Sequence, residues 1–434
     1  MKEKFIKSTI ILIIGGVITK ILGMLYKIIL TRYLTTEALG LYMMILPTFI
    51  LFISIASFGF PVAISKMISE DDKNNKRLLS TSIIFILLIN IILIFIILII
   101  SKPLSIHFLH NKNCTYPIMA TSIIIPFTSI ESIIKSYFFG KQKMIPLVLS
   151  NIAEDIVKIL AIIILFPYFK DYSISSIVTF IILFGIISEI TSLLTLFMFL
   201  PRKVKITKKD LKPSKIYLKD SLSIGVPTTL SKLVGSITYF LEPIILTSVL
   251  LYIGYKNSYI IKEYGILSGY SIPIILLPNF FTIAISQALL PVISKEYKKK
   301  NIKEVKRKIM QAIYYSLIIG IPFTICLVVF PNLFLKLIYN TDKGISYIRF
   351  LAPICLLQYI QAPLSSSLDA MGLSNKNFYA NLIGSIIRIV LLPLLSLFKI
   401  GLWGLVISTS INIVVITAIN IKQIKLATNE VNPK

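Results

Sequence analysis

Four stretches of this chain run for 22 residues or more without a single charge: Leu78–Ser101 (24 residues), Tyr264–Ser294 (31), Ile309–Leu335 (27) and Ile400–Ile421 (22). About 20 apolar residues in a helix cross the hydrocarbon core of a bilayer, whereas a soluble domain interrupts its apolar runs with polar faces at the helical period. The chain therefore reads as an all-α integral membrane protein. Composition agrees, since 56% of the 434 residues are hydrophobic and only 15% are charged. No A-x-A-like cleavage pattern follows the first apolar segment, which is read as a retained helix rather than a signal peptide. Cys114, Cys326 and Cys355 stand apart, without metal-ligand spacing or a disulfide framework.

About twelve transmembrane helices are expected, at roughly 6–31, 38–65, 78–101, 115–139, 144–168, 173–200, 220–250, 264–292, 309–335, 345–370, 377–397 and 401–421. Pro47, Pro126, Pro227, Pro273 and Pro353 fall inside them and predict kinks or broken helices. The segments also repeat. Pro61-Val-Ala-Ile-Ser-Lys66 returns one residue shorter as Pro291-Val-Ile-Ser-Lys295, and the same offset pairs Glu131 with Gln361, Asn151 with Asn381 and Lys158 with Arg388. Thr19-Lys20-Ile-Leu-Gly23 matches Ser231-Lys232-Leu-Val-Gly235 at a slightly smaller offset. The expected architecture is two six-helix lobes related by internal duplication: 1–200, then a basic linker 201–219, a second lobe 220–425 and a short polar tail 426–434. Six helices per copy give both copies one orientation, about an axis along the membrane normal. Internal repeats recur in membrane transporters, where substrate passes between the halves.

The net charge of +26 follows the same layout. With both termini on one side, the loops on that side hold 30 of the 45 Lys and Arg, against 9 on the other. This is a positive-inside pattern that places both termini in the cytoplasm. The basic loops, Lys295–Lys300 among them, are expected to meet anionic phospholipids, not nucleic acid.

The remaining six cations fall inside the spans: Lys20, Lys27, Lys158, Lys232, Arg349 and Arg388. A cation at the bilayer centre costs roughly 2.5–3.5 kcal/mol on insertion scales, so each should face the bundle interior, pair with an acid or snorkel. Gly16, Lys20, Gly23 and Lys27 share one face of the first helix, which has no acid there. This face is expected to line a cavity that receives an anionic head group, with Lys232 at the duplicated position of Lys20. The alternative is that Lys27 snorkels and Lys20 meets a carboxylate elsewhere. Glu154 and Lys158, four apart with the acid first, predict a same-face ion pair. Arg388 has no acid in its own helix and needs one from another; it is counted here among the cavity cations. Glu131, Glu189 and Glu242 are candidates for a proton or cation site, or for buried partners of these bases. Arg349 is expected near the outer interface and His107 and His110 in a solvated outer loop. No Walker A loop, nucleophile with a base, metal cluster or soluble domain points to enzymatic chemistry, and no cofactor is expected.

Thr19–Gly23, Gly40-Leu-Tyr-Met-Met-Ile-Leu-Pro-Thr48 and Gly59-Phe-Pro-Val-Ala-Ile-Ser-Lys66 resemble the stage V sporulation protein B family. That family lies in the polysaccharide-flippase branch of the multidrug/oligosaccharidyl-lipid/polysaccharide (MOP) exporter superfamily, which also holds the MATE transporters and, more distantly, the MurJ lipid II flippases. The resemblance implies two six-helix lobes around a V-shaped cavity. It also implies export of a lipid-linked diphosphate oligosaccharide, lipid II for spore-cortex peptidoglycan, with cell-wall glycosyltransferases or polymerases as candidate partners. In MurJ an Arg matches Lys20, and a second falls at Tyr26 here, beside Lys27. Relatives of both kinds commonly have fourteen helices.

The leading expectation is thus a flippase working by alternating access, driven by membrane potential or by a coupled proton or sodium ion. A cation-coupled multidrug antiporter of the same superfamily is the alternative, favoured only by Glu242. A non-transporting scaffold for cell-wall synthesis is the third.

Overall fold

In a bilayer every backbone N–H and C=O must find a partner within the protein, so long apolar runs fold as helices. The computed structural model describes residues 2–70, 74–201 and 213–430, and no strand occurs among them. They divide into two compact units, 1–240 and 241–434.

Unit 1 contains α1 (Lys2–Tyr33), α2 (Thr36–Ser57), α3 (Phe60–Ser69), α4 (Asn75–Pro103), α5 (Thr115–Gly140), α6 (Met144–Leu165) and α7 (Ile174–Phe199). It also contains most of α8 (Lys215–Tyr252), inside which the boundary falls. Unit 2 continues with α9 (Asn257–Gly265), α10 (Ile272–Ile275), α11 (Asn279–Lys298), α12 (Ile302–Val329), α13 (Pro331–Tyr339), α14 (Ile345–Ala370), α15 (Ser374–Ser396) and α16 (Trp403–Glu430). Most of the linker read from the sequence, 202–212, lies outside the described residues, as does 431–434 at the end of the tail. Residues 215–219 are helical, and α16 runs through 426–430.

Among the described residues ten helices are long and apolar enough to cross a membrane, and a bent pair makes an eleventh. The fifth predicted segment folds as α6, whose 22 residues extend about 33 Å at 1.5 Å per residue. Glu154, Asp155 and Lys158 make it too polar to count as a span on composition. The difference from the expected twelve is thus one charged helix.

Two predicted spans are broken. Phe58 (φ 43°) and Gly59 (φ 64°) interrupt the second between α2 and α3. Pro61 lacks an N–H and cannot continue a helix from the preceding turn, but it is well suited to a helix's first turn. The eighth bends by 50° between Ile275 and Asn279, downstream of Pro273. Pro47, Pro126 and Pro353 sit within single helices, so proline alone did not mark the breaks.

Packing follows membrane rules rather than soluble ones. On α4, Leu88, Ile91, Ile92, Phe95 and Ile99 are exposed, while Ser80, Thr81, Ser82 and Asn90 are buried. Its apolar face belongs to lipid, and its small and polar residues pack inward. At Gly15, where α1 meets α6, an added Cβ would run into the Val148 side chain. Gly15→Ala should therefore destabilise unit 1 by about 1–3 kcal/mol, the usual cost of overpacking. Val148→Ala in the same chain should return most of it, measured as thermal unfolding in detergent; no recovery would mean that α1 does not seat on α6 at this point.

The duplication is visible in the bonding. Glu131 on α5 accepts from Ser192 on α7. Its repeat partner Gln361 on α14 donates to Ile413 O (2.9 Å) and Thr417 Oγ1 (3.0 Å) on α16. In both units a mid-helix polar side chain ties the fourth predicted span to the sixth.

Candidate functional site

α5, α6 and α7 pack on one another and bring four acids and two bases together inside unit 1. Lys135 Nζ lies 2.5 Å from Glu131 Oε1 and 3.5 Å from Glu154 Oε2. Glu154 also accepts from Lys158 Nζ at 3.1 Å, so it bridges the two lysines. The pair read from the four-residue spacing of Glu154 and Lys158 is present. Lys158 also stands over the Tyr26 ring of α1, 5.8 Å from its centroid. Glu131 and Glu154 have side chains 9% and 16% exposed. At such burial a carboxylate is stable only with its charge matched and its lone pairs occupied. Glu189 on α7 is buried as well, and its Oε2 has no hydrogen-bond partner.

Beside this cluster is a cavity of about 240 Å³ lined by Gly23 and Tyr26 of α1 and by Tyr42, Asp155, Lys158, Gly185 and Glu189, with apolar residues of α2, α5 and α7 completing it. Lys135 is the member that sequence reading missed, although it falls inside the fourth expected span. The signal was available, since Glu131 and Lys135 repeat the four-residue spacing of Glu154 and Lys158.

In unit 2, Arg388 on α15 is ion-paired with Glu242 on α8, and Tyr264 donates to the same carboxylate at 3.1 Å. Arg388 thus finds its acid on another helix, as its sequence requires. Its charge is matched within the unit, and Glu242 is occupied by two partners.

The α1 stripe is different. Lys20 is exposed and Lys27 half-buried, and Cβ atoms added at Gly16 or Gly23 would meet nothing within 4 Å. Lys232 on α8 is exposed too, and a Cβ at Gly235, one turn on, would likewise meet nothing within 4 Å. Among the described residues no carboxylate lies within salt-bridge distance of Lys20, Lys27 or Lys232. Arg349, read as an interface residue, is exposed near the start of α14.

A chain of membrane-length helices in two units, with buried ion pairs inside each and unpaired lysines on open helix faces, defines a multi-pass membrane protein built as a carrier. Its fold is that of the MOP superfamily. It aligns with an inward-facing conformation of a multidrug resistance MATE family transporter at a TM-score of 0.74 (18% identity, 95% of each chain). It aligns with a MOP superfamily transporter from Pyrococcus furiosus, described as having a binding pocket of reversed polarity, at 0.68 (17% identity, 99% of this chain and 97% of that one). The chain belongs to the polysaccharide biosynthesis protein family, whose profile matches residues 5–297. The MatE family profile matches 236–394. Stage V sporulation protein B of Bacillus subtilis is 30% identical over 96% of this chain and 83% of its own length. The lipid II flippase MurJ of the same organism is 27% identical over 37% of this chain and 32% of its own.

Proposed function

We propose that this protein is a flippase of the bacterial cytoplasmic membrane for a polyprenyl-diphosphate oligosaccharide of the lipid II class, working by alternating access. The observation that carries the reading is the contrast among cations. Lys135, Lys158 and Arg388 are paired with acids, whereas Lys20 and Lys232 stand exposed without one, next to glycines that leave room for a bulky group. An unpaired cation near the bilayer is costly and marks a substrate path more often than a structural role. A diphosphate would supply the missing negative charge, and the glycan would lie along the open glycine face while the polyprenyl tail stays in lipid. The sporulation and lipid II relatives favour a peptidoglycan precursor, with spore-envelope synthesis as the setting. Transport rather than group transfer is the chemistry offered, since the site holds no nucleophile with a base.

Lipid II translocation in proteoliposomes tests this. Wild type should flip it, and Lys20→Ala and Lys232→Ala, at matched insertion, should each lower the initial rate at subsaturating substrate. One charge-assisted hydrogen bond is worth about 1.5–3 kcal/mol, or roughly ten- to a hundredfold. Lys20→Arg should retain most of the rate. Full activity in both alanine variants would remove these lysines from the site. Absence of lipid II movement together with ion-driven efflux of an organic cation would instead make the protein an antiporter.

A further inference from the structure

The repeated motif, Pro61-Val-Ala-Ile-Ser-Lys66 and Pro291-Val-Ile-Ser-Lys295, ends both times in Ser-Lys at the close of an apolar stretch. Lys66 on α3 and Lys295 on α11 are both exposed. Among the described residues neither lies within salt-bridge distance of a carboxylate. In unit 1 the motif forms one wall of a second cavity, about 720 Å³ against 240 Å³ for the one beside Lys158. Ser65 and Lys66 of α3 line it together with Ser132, Lys135 and Ser136 of α5, and the start of α6 closes it. Gly140 seats the two walls on each other. A Cβ there would lie 2.7 Å from the Ser65 carbonyl oxygen and 2.9 Å from Ile68 Cβ, so α5 presses directly on α3.

This cavity crosses the edge of the hydrocarbon layer. Ser65, Ser132 and Ser136 fall within the expected spans, whereas Lys66, Ser69 and Gln142 fall just beyond them, on the face that the charge pattern assigns to the cytoplasm. Its polar groups are not equally available. Ser69, Ser132 and Ser136 donate to carbonyls of their own helices. Lys135 is charge-matched by Glu131 and Glu154, which occupy two of its three N–H donors. The Lys66 ammonium and the Ser65 hydroxyl, by contrast, have no partner among the described residues. The start of α6 adds the positive end of a helix that no side chain caps. In the same wall Val62 and Phe139 are apolar side chains 41% and 50% exposed.

We infer that this cavity binds one anionic phospholipid, its phosphate held by Lys66, the Ser65 hydroxyl and the remaining N–H of Lys135, with its acyl chains against Val62 and Phe139. An unmatched cation and free donors at head-group depth, beside exposed apolar side chains, fit an amphiphile with a negative head. A soluble anion would gain nothing from the apolar wall. A lysine that merely stands near an anionic bilayer gains roughly fivefold in binding from the diffuse surface charge. Here the charge is backed by directed donors, so one lysine should matter more than its neighbours. The second copy of the motif keeps Lys295, but Ser365 stands at the repeat position of Lys135, so that copy lacks the second cation. The site is separate from Lys20 and Lys232 and does not rest on the flippase reading.

Native mass spectrometry of the full chain in detergent, titrated with phosphatidylglycerol, tests this without requiring transport. Wild type should retain one phosphatidylglycerol more tightly than phosphatidylcholine, whose head group carries a compensating positive charge. Lys66→Gln should weaken that binding roughly ten- to a hundredfold, the worth of a charge-assisted hydrogen bond, and Lys66→Arg should keep most of it. Lys303→Gln, at an exposed lysine of unit 2, should cost no more than the diffuse fivefold. Matched melting curves by circular dichroism establish that the variants are folded. Equal weakening in Lys66→Gln and Lys303→Gln overturns the built site in favour of diffuse attraction. Phosphatidylcholine bound as tightly as phosphatidylglycerol overturns recognition of charge. Displacement of the lipid by inorganic phosphate, or by glycerophosphoglycerol, the head group without its chains, overturns the lipid assignment and leaves a free-anion site. The readout is binding alone, so the result stands whether or not the protein moves lipid II.

Discussion

Arg388→Ala is expected to destabilise unit 2 by about 3–5 kcal/mol, the range seen when one partner of a buried ion pair is removed. Its partner Glu242 has a side chain only 6% exposed, and after the substitution it would keep only the Tyr264 hydrogen bond at 3.1 Å. The loss is mainly the stranded carboxylate, not the attraction itself. Arg388→Met combined with Glu242→Gln should therefore recover most of the stability, because an amide tolerates burial and Met replaces the guanidinium stem. The chain has one tryptophan, Trp403, packed against Tyr347 and Phe350 in unit 2. Its fluorescence during denaturant unfolding in detergent reports on this unit directly. If the single and double variants unfold together with wild type, the pair contributes nothing and Arg388 returns to the set of available cations.

Gly59→Ala should be the most damaging small substitution in unit 1. Gly59 has φ +64°, which costs an L-residue about 1–2 kcal/mol. Its Cβ would also strike the carbonyl of Gly225 and the hydroxyl of Thr228 on α8. The carbonyl belongs to a helix backbone and cannot rotate away. The approach is tight from the other side too, since a Cβ on Gly225 would lie 2.8 Å from the Phe58 carbonyl oxygen. Gly254 supplies the control: its φ is +97°, but a Cβ there would meet nothing within 4 Å. Gly254→Ala should lose the backbone term alone, and Gly59→Ala the backbone term plus overpacking, together about 2–5 kcal/mol. Thermal unfolding in detergent followed by circular dichroism compares them. Equal losses would show that α8 does not press on the α2–α3 break.

Much of this arrangement could be read from the sequence. Helix positions came from apolar runs, because a bilayer leaves the backbone no other fold. The duplication came from matched residues, and it reappears as Glu131 tied to Ser192 and Gln361 to Ile413 and Thr417. The Glu154–Lys158 pair came from helical spacing, a local property. Lys135 carries the same signal at the same spacing from Glu131, near the end of its span.

What the sequence determined alone was thus the class of protein, its repeated helices and the pairs formed within a single helix, since each depends on hydropathy or spacing along one stretch of chain. Tertiary structure decided the rest. It chose Glu242, 146 residues from Arg388, as that cation's acid. It set the second predicted span's break at Phe58–Gly59, where α8 approaches closely, and left the Lys20 face of α1 open while Gly15 packed on α6. It also left Glu189 with a buried oxygen that has no hydrogen-bond partner, at the wall of a cavity. Each of these depends on which helices become neighbours, and neighbours are fixed by packing across the whole unit rather than by any local run of residues.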